Sequence, residues 1–441
     1  MKISSHITAL LLAAILLLAL GIRLSVAGEA GYEFDVGTNK GWAQSAVEIG
    51  IAKSYSEQSD NNMLPDYPPL SLLVFAATGH VQTIVGEGVE PSTLLIKLPA
   101  IVADLLTIVI LAFLCIRLIG RRAGIVAAAV YAINPAVWYD SAVWGQTDAL
   151  FTLFAVAALG ALALEIPELC AALITLCVLT KIQGILFLPL LALVFLRAPW
   201  RKTLSSVGAS AVALLAVLSP FATDGALLKI RDVYMNAVGH YPTLTFGAYN
   251  FWWSLFGDPG WGKQDSDLLF GSVTYLNASM VLCLAIYAGL LWTLRKPLLR
   301  AAHPKDRFHA IFLGGMLAAQ TFFLFSAEMH ERYLFPYLAV GLPSIFLGAG
   351  PATLYILGSL FFWGNLLGIL PFGSIDRALF AEFPAFDVFI ACGQVTVFIL
   401  GWVWTAGWAR RVRTDPKRGK FGIAELLKLL RRRRTNPVSA R

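Results

Sequence analysis

The feature that most constrains this chain is a recurrence of apolar runs close to 20 residues long, the length at which a helix crosses a hydrocarbon core. They succeed one another from residue 7 to about residue 405. Of 441 residues, 58% are hydrophobic and only 14% charged, far too little charge to wet the surface of a soluble domain of that size. The chain therefore reads as an all-α, polytopic transmembrane bundle. Candidate spans lie near 7–22, 94–119, 123–137, 147–164, 171–196, 203–221, 272–294, 308–325, 333–347, 353–370 and 388–404. The first run has the length of a signal peptide, but no small-residue cleavage site ahead of a soluble domain follows it, so it is read as a span.

Lys and Arg cluster at 117–122, 197–202, 295–307 and from Arg410 onward, whereas the long loops 28–92 and 223–271 are mixed or acidic. The positive-inside bias puts the basic clusters in the cytoplasm and the two long loops outside. Keeping Arg122 and Arg197 on one side requires an even number of crossings between them. That predicts that 171–196 breaks into two short spans around Lys181-Ile182-Gln183-Gly184, for about 11 or 12 spans with both termini inside. A net charge of +7 does not indicate nucleic acid, because a dozen of the 34 Lys and Arg follow Trp408 and suit anionic lipid headgroups. Residues 421–430 precede Arg431–Arg434 and read as an amphipathic anchor on the inner leaflet. The expected organisation is a membrane domain over 1–408, with short helices in its first outer loop, and a basic cytoplasmic tail over 409–441. The five cysteines, all inside apolar stretches, suggest neither disulfides nor a metal site.

Charge beside a membrane is costly, so ionisable residues at the outer ends of spans mark candidate chemistry. Four groups qualify. The first loop carries Asp35, then Asp60-Asn61-Asn62 and Asp66-Tyr67-Pro68-Pro69. A carboxylate just after a span can serve as a general base toward a hydroxyl, although Asp35 could equally cap a helix starting near Thr38. The second group runs from Asn134-Pro135 through Asp140 to Trp144-Gly145-Gln146-Thr147-Asp148. The tryptophans suit an interfacial belt, but Asp148 stands one turn into an apolar run. Lys181 is the third, either a contact for a lipid phosphate or a snorkelling helix-end lysine. The fourth is Glu328-Met329-His330-Glu331-Arg332-Tyr333. It lacks the second histidine of a helical zinc motif, but its imidazole and guanidinium could clamp a phosphate.

Taken in order, these groups resemble the GT-C superfamily of membrane glycosyltransferases that use polyprenyl-phosphate sugars. The likeness is to the glucosyltransferases of the N-glycan precursor pathway and to bacterial mannosyltransferase-like proteins. Asp35 with Trp42, Asp60–Leu70, Lys97 with Asp104, Asn134-Pro135 with Trp144-Gly145-Gln146, Lys181 and His330-Glu331-Arg332 carry it. The resemblance implies a bacterial plasma-membrane enzyme with an outward cavity. There Asp35 deprotonates an acceptor hydroxyl, which displaces lipid phosphate from the sugar with inversion, without cofactor or metal. Asp66, Tyr67, Trp144, Gln146, Asp148 and Glu331 would contact donor or acceptor, and Lys181, His330 and Arg332 the phosphate. The Trp144–Asp148 stretch follows the bacterial pattern, and Arg332 replaces a lysine with a forked donor, so the sugar, mannose or glucose, stays open. A secondary transporter or lipid-linked-sugar flippase is the main alternative, with a surface-polysaccharide polymerase or ligase a third. The charges gather at one face rather than at span centres, which favours transfer.

Overall fold

The computed structural model describes residues 4–415 apart from 58, 60–62, 87, 197, 261, 373–382 and 384. Asp60, Asn61, Asn62 and the amphipathic stretch 421–430 lie outside the described residues. The chain is a helical multi-pass membrane bundle, and its strands among the described residues are two pairs of two- and three-residue fragments. Among the described residues seven helices are long and apolar enough to span: Ser5–Val26 (α1), Thr93–Leu118 (α4), Trp200–Phe221, Tyr275–Arg300, Pro304–Phe325, Ala349–Ile369 and Phe386–Arg411. Pro304–Phe325 is the central one, buried on nearly all sides, whereas Leu10, Leu17, Leu215, Leu284 and Val403 on the outer helices stay bare where lipid would cover them.

The predicted spans and the observed helices differ in instructive places. The break expected within 171–196 falls at Lys181: helix Pro167–Thr180 ends there in extended backbone (φ −151°, ψ 134°), and a 3₁₀ turn over Ile182–Phe187 leads into Leu188–Phe195. Residues 333–347, read as a span, form instead the five-residue helix Pro336–Val340 and a 3₁₀ stretch Leu342–Leu347. Pro336 and Pro343 withhold backbone donors, and an uninterrupted ladder is impossible. Residues 123–137 stop early as helix α5 (Arg121–Ile133), because Asn134 caps the next turn by accepting from the Ala136 amide and Pro135 takes its first position.

The long loop 28–92 folds into two helices, Glu33–Glu48 (α2) and Pro69–Val85 (α3), which share a small core of Val36, Trp42, Tyr55, Leu72 and Phe75. Pro68 is extended and Pro69 occupies the first helical position, so Asp66 and Tyr67 are held at the entrance to α3. Asp35 does not cap a helix at Thr38; it stands in the first turn of α2, where the helix dipole favours an acid.

Beneath this loop two cations tie the bundle together. Arg23 of α1 meets Asp104 of α4 at 2.8 Å with both side chains fully buried, and it also donates to the Ala19 and Ala132 carbonyls. Ser141 completes Asp104 at 2.6 Å. Lys97 of α4 donates to three backbone carbonyls, Glu29 at 2.6 Å, Val143 at 2.9 Å and Ala142 at 3.1 Å. The last two belong to a π-helical turn over Tyr139–Trp144, whose widened winding leaves carbonyls free for an outside donor.

Candidate active site

Lys97 draws the start of the loop 28–92 against the π-helical turn, and the contact is too close for side chains at two positions. A Cβ on Gly31 (φ +79°) would overlap the Trp144 carbonyl, and one on Gly145 (φ +90°) would lie 2.7 Å from Val36 Cγ2. Both glycines also need the left-handed backbone that other residues resist. The Tyr32 amide then donates to the Trp144 carbonyl at 3.0 Å, and the two rings stack at 5.1 Å. Trp144 Nε1 donates to Asp35 Oδ2 at 2.8 Å. The carboxylate of α2 is thus aimed by a residue 109 positions later. Its side chain keeps 12% exposure and lies 3.8 Å from Arg332.

Arg332 is the junction of the site. Its guanidinium bonds Glu331 at 2.6 Å and approaches Asp148 at 3.9 Å as well as Asp35. Lys181, freed by the helix break, reaches Asp148 Oδ1 at 2.8 Å and sits over the rings of Tyr67 (5.2 Å) and Tyr333 (5.5 Å). The pair is not saturated: Asp148 Oδ2 and Arg332 Nε are buried without a hydrogen-bond partner, a state that well-packed proteins avoid unless a site demands it.

A cavity of about 550 Å³ opens on this cluster. Of the residues singled out from the sequence, Asp66, Tyr67, Pro68, Lys181, Glu328, Met329, Arg332 and Tyr333 line it. Its other wall is apolar, with Ile182, Ile185, Leu276, Met280 and Phe322, and Ile185 and Met280 stay roughly half exposed on its lip. Polar floor and apolar lip together suit an amphiphile of ligand size. Tyr67 is placed by Trp42, whose ring it meets at 5.1 Å, and its hydroxyl donates to Gln146 at 3.4 Å.

The remaining residues stand behind this wall. Asp35, Trp144, Gln146, Asp148, His330 and Glu331 do not line the cavity. His330 is enclosed by Tyr241, Phe246 and Tyr333, with ring centroids 4.7 to 5.0 Å away. Burial, and then the Arg332 and Lys181 charges, push its imidazole well below the ordinary range, so it is neutral and brings no charge to a phosphate. Burial raises the Glu331 carboxyl, with Arg332 opposing. Sequence reasoning missed His240 and Tyr241, which line the cavity and meet Asp66 Oδ2 at 3.3 and 3.4 Å. No local motif marks them; only the fold brings the loop 223–271 over the loop 28–92.

This chain is similar to solved structures over most of its length and to a family model over part of it. No curated sequence matches it. Among solved structures, ArnT from Cupriavidus metallidurans bound to undecaprenyl phosphate is similar at a TM-score of 0.49 and 16% identity, over 92% of this chain and 79% of that one. The archaeal oligosaccharyltransferase AglB from Archaeoglobus fulgidus, in complex with an inhibitory peptide and a dolichol-phosphate, is similar at 0.45 and 11%, over 98% of this chain and 58% of that one. Residues 80–224 match the family model described as dolichyl-phosphate-mannose-protein mannosyltransferase. That stretch holds Lys97, Asp104, Asn134, Trp144, Gln146, Asp148 and Lys181, whereas Asp35, Asp66, Tyr67, His330 and Arg332 lie outside it.

Proposed function

We propose that this protein is a GT-C type glycosyltransferase that moves a hexose, mannose or glucose, from a polyprenyl-phosphate donor to a lipid-linked or glycan acceptor. The observation that carries the reading is the pairing of Lys181 and Arg332 at the polar floor of a cavity whose opposite lip is apolar. A lipid-phosphate sugar fits both: its single phosphodiester charge, which becomes two as the phosphate departs, joins Asp148 as partner to the cations, and its chain lies along Ile185 and Met280. Arg332 links this phosphate site to Asp35, 3.8 Å behind it. Asp35, aimed by Trp144, takes the proton of the acceptor hydroxyl, which attacks the anomeric carbon opposite the departing phosphate and inverts it. Leaving-group charge is met by cations already in place, and such positioned electrostatics supply a large share of catalysis of this kind. Asp66, Tyr67 and Gln146 hold the sugar or the acceptor. The catalytic unit is residues 1–408, with 28–92 and 223–271 on the extracytoplasmic face of a bacterial plasma membrane and 409–441 anchoring the inner leaflet.

The test uses purified protein with radiolabelled polyprenyl-phosphate-mannose or polyprenyl-phosphate-glucose and a membrane lipid extract. Label should pass from one donor to an extractable acceptor. Asp35→Asn should abolish transfer and leave donor binding intact, whereas Asp66→Asn should mainly raise the KM. Transfer lost only in Asp66→Asn would move the base to that residue. Failure with every lipid-phosphate sugar would return the chain to the transporter reading.

A further inference from the structure

The hairpin before helix Tyr275–Arg300 exposes what a loop in water would hide. Its strands, Leu268–Phe270 and Val273–Thr274, pair antiparallel around Gly271-Ser272. The first presents three large apolar residues in a row: Leu268 at 64%, Leu269 at 38% and Phe270 at 65% exposure. Successive strand residues point to opposite faces, so this strand has a protein core on neither side. Its base, by contrast, is fastened. The Asp267 carbonyl accepts from the Tyr275 amide at 3.0 Å and its carboxylate from the Gln264 amide at 3.0 Å, while the Asp265 carbonyl accepts from the Leu276 amide at 2.8 Å.

The depth of the hairpin follows from the helices beside it. No charged residue lies between Tyr275 and Arg295, 20 positions apart. At 1.5 Å per residue that stretch covers about 30 Å, the thickness of a hydrocarbon core. With Arg295 at one face of the core, Tyr275 stands at the other, and any tilt of the helix only draws Tyr275 deeper. The helix Pro304–Phe325 packs beside it and returns across the same distance, with Arg307 at one end and Phe325 at the other. Trp252 ties the two far ends together: its ring meets Tyr275 edge-on at 5.8 Å, and its indole N–H donates to the Phe325 carbonyl at 3.1 Å. Tryptophan and tyrosine are the side chains that suit such a boundary. Lys263 sits over the same level, with its ammonium 4.8 Å from the Phe256 ring and 5.6 Å from that of Tyr275, where a lysine can reach headgroup phosphates.

We propose that the hairpin Leu268–Thr274 dips into the lipid leaflet at the end of the bundle opposite Arg295, as an interfacial anchor beside the cavity.

Lipid is the occupant because the surface is continuous with one that lipid already covers. Farther along the same helix Val281 and Leu284, each 68% exposed, face the membrane in any placement of this span. The hairpin stands at the end of that surface. It goes no deeper than the boundary between headgroups and acyl chains, since the backbone groups of a two-stranded hairpin that face away from its partner strand need water or headgroup oxygens. The exposed Asp267 at its base sets the same limit. Leu276 and Met280, which follow at once on the helix, line the cavity, so the anchor fixes the height at which the cavity meets the leaflet. The inference rests on the membrane placement of the bundle and not on sugar transfer.

The experiment reads depth. An environment-sensitive fluorophore is attached at Phe270→Cys or at Val281→Cys in full-length protein carrying Cys283→Ser and Cys392→Ser, in phospholipid nanodiscs. A nitroxide near the glycerol end of the lipid chain should quench the probe at 270 about threefold more than the probe at 281, and a nitroxide near the chain terminus should reverse that order. Iodide in the water should quench neither strongly. A probe at 270 that iodide reaches freely and lipid nitroxides do not would overturn the proposal. So would a probe at 270 shielded from both, which would assign the hairpin to a protein partner or a second copy. A second measurement needs no substitution. The native protein, in nanodiscs doped with a phospholipid bearing a photoactivated diazirine on its acyl chain, should take lipid adducts on 268–274 as well as on the span; adducts confined to the spans would sink the anchor.

Discussion

Lys97 and Lys181 are both buried lysines next to the loop 28–92, and the structure uses them in opposite ways. Lys97 spends its three protons on three backbone carbonyls, an ammonium fully satisfied by the protein itself. Lys181 has one carboxylate, two tyrosine rings within 5.5 Å, and a cavity in front of it. Both are charges that a membrane protein would shed if they served nothing. What separates scaffold from site is therefore the unspent hydrogen-bonding capacity, not the burial.

The sharpest way to break this comparison is Lys181→Met, which should lower transfer by about 10²–10³-fold, as loss of one positioned transition-state charge does. The variant also strands Asp148 as a buried carboxylate, which is itself destabilising. Lys181→Met combined with Asp148→Asn should therefore recover thermal stability without recovering transfer. Recovery of both would show that Lys181 only neutralises Asp148.

Lys97→Met should fail in the converse way. Three buried carbonyls lose their donor, at about 1 kcal/mol each, so a stability loss of about 3 kcal/mol is expected from detergent melting curves. Material that stays folded should keep donor affinity. A donor-binding defect in folded protein would place Lys97 in the site after all.

Much of the architecture was legible in the chain: the apolar runs, the helix break at Lys181, and the ionisable residues at span ends. Other parts were not, for reasons that are local in some places and global in others. Residues 333–347 are as apolar as a span, and only Pro336 and Pro343 betray that they cannot be one helix. The run after Pro69, in a loop expected to hold only short helices, is the 17-residue helix α3. The fate of Lys97 depends on whether carbonyls from residues 29, 142 and 143 converge, which no periodicity reveals. His330 reads as a phosphate ligand in its motif, yet Tyr241 and Phe246, from another loop, close round it and leave it neutral. His240 escaped notice for the same reason, since its partner Asp66 lies 174 positions earlier on the first loop.

Arg332 sharpens the comparison from the cavity side. Arg332→Lys keeps the charge but loses the fork that spans Glu331, Asp35 and Asp148. One or two charge-assisted hydrogen bonds are at stake, so transfer should fall by about 10- to 100-fold. Because Lys181 remains, donor KM should rise more than kcat falls if the cations hold the ground-state phosphate. The reverse split would place the arginine's main effect in the transition state.

Trp144 has the smallest expected effect and tests the boundary between the two regions. Its carbonyl belongs to the scaffold that Lys97 assembles, while its indole N–H is spent on Asp35. Trp144→Phe leaves the backbone contact with Tyr32 and most of the ring stack, and removes that one donor. A hydrogen bond to a charged group contributes about 1.5 kcal/mol or more, so kcat should drop by about tenfold. Donor affinity should be unchanged, because Lys181 and Arg332, the phosphate cations, keep their places. A matching loss in donor affinity would mean that Asp35 holds the donor's sugar and not the acceptor. Melting behaviour near that of the parent protein would confirm that the scaffold ends at the tryptophan's backbone and the site begins at its ring.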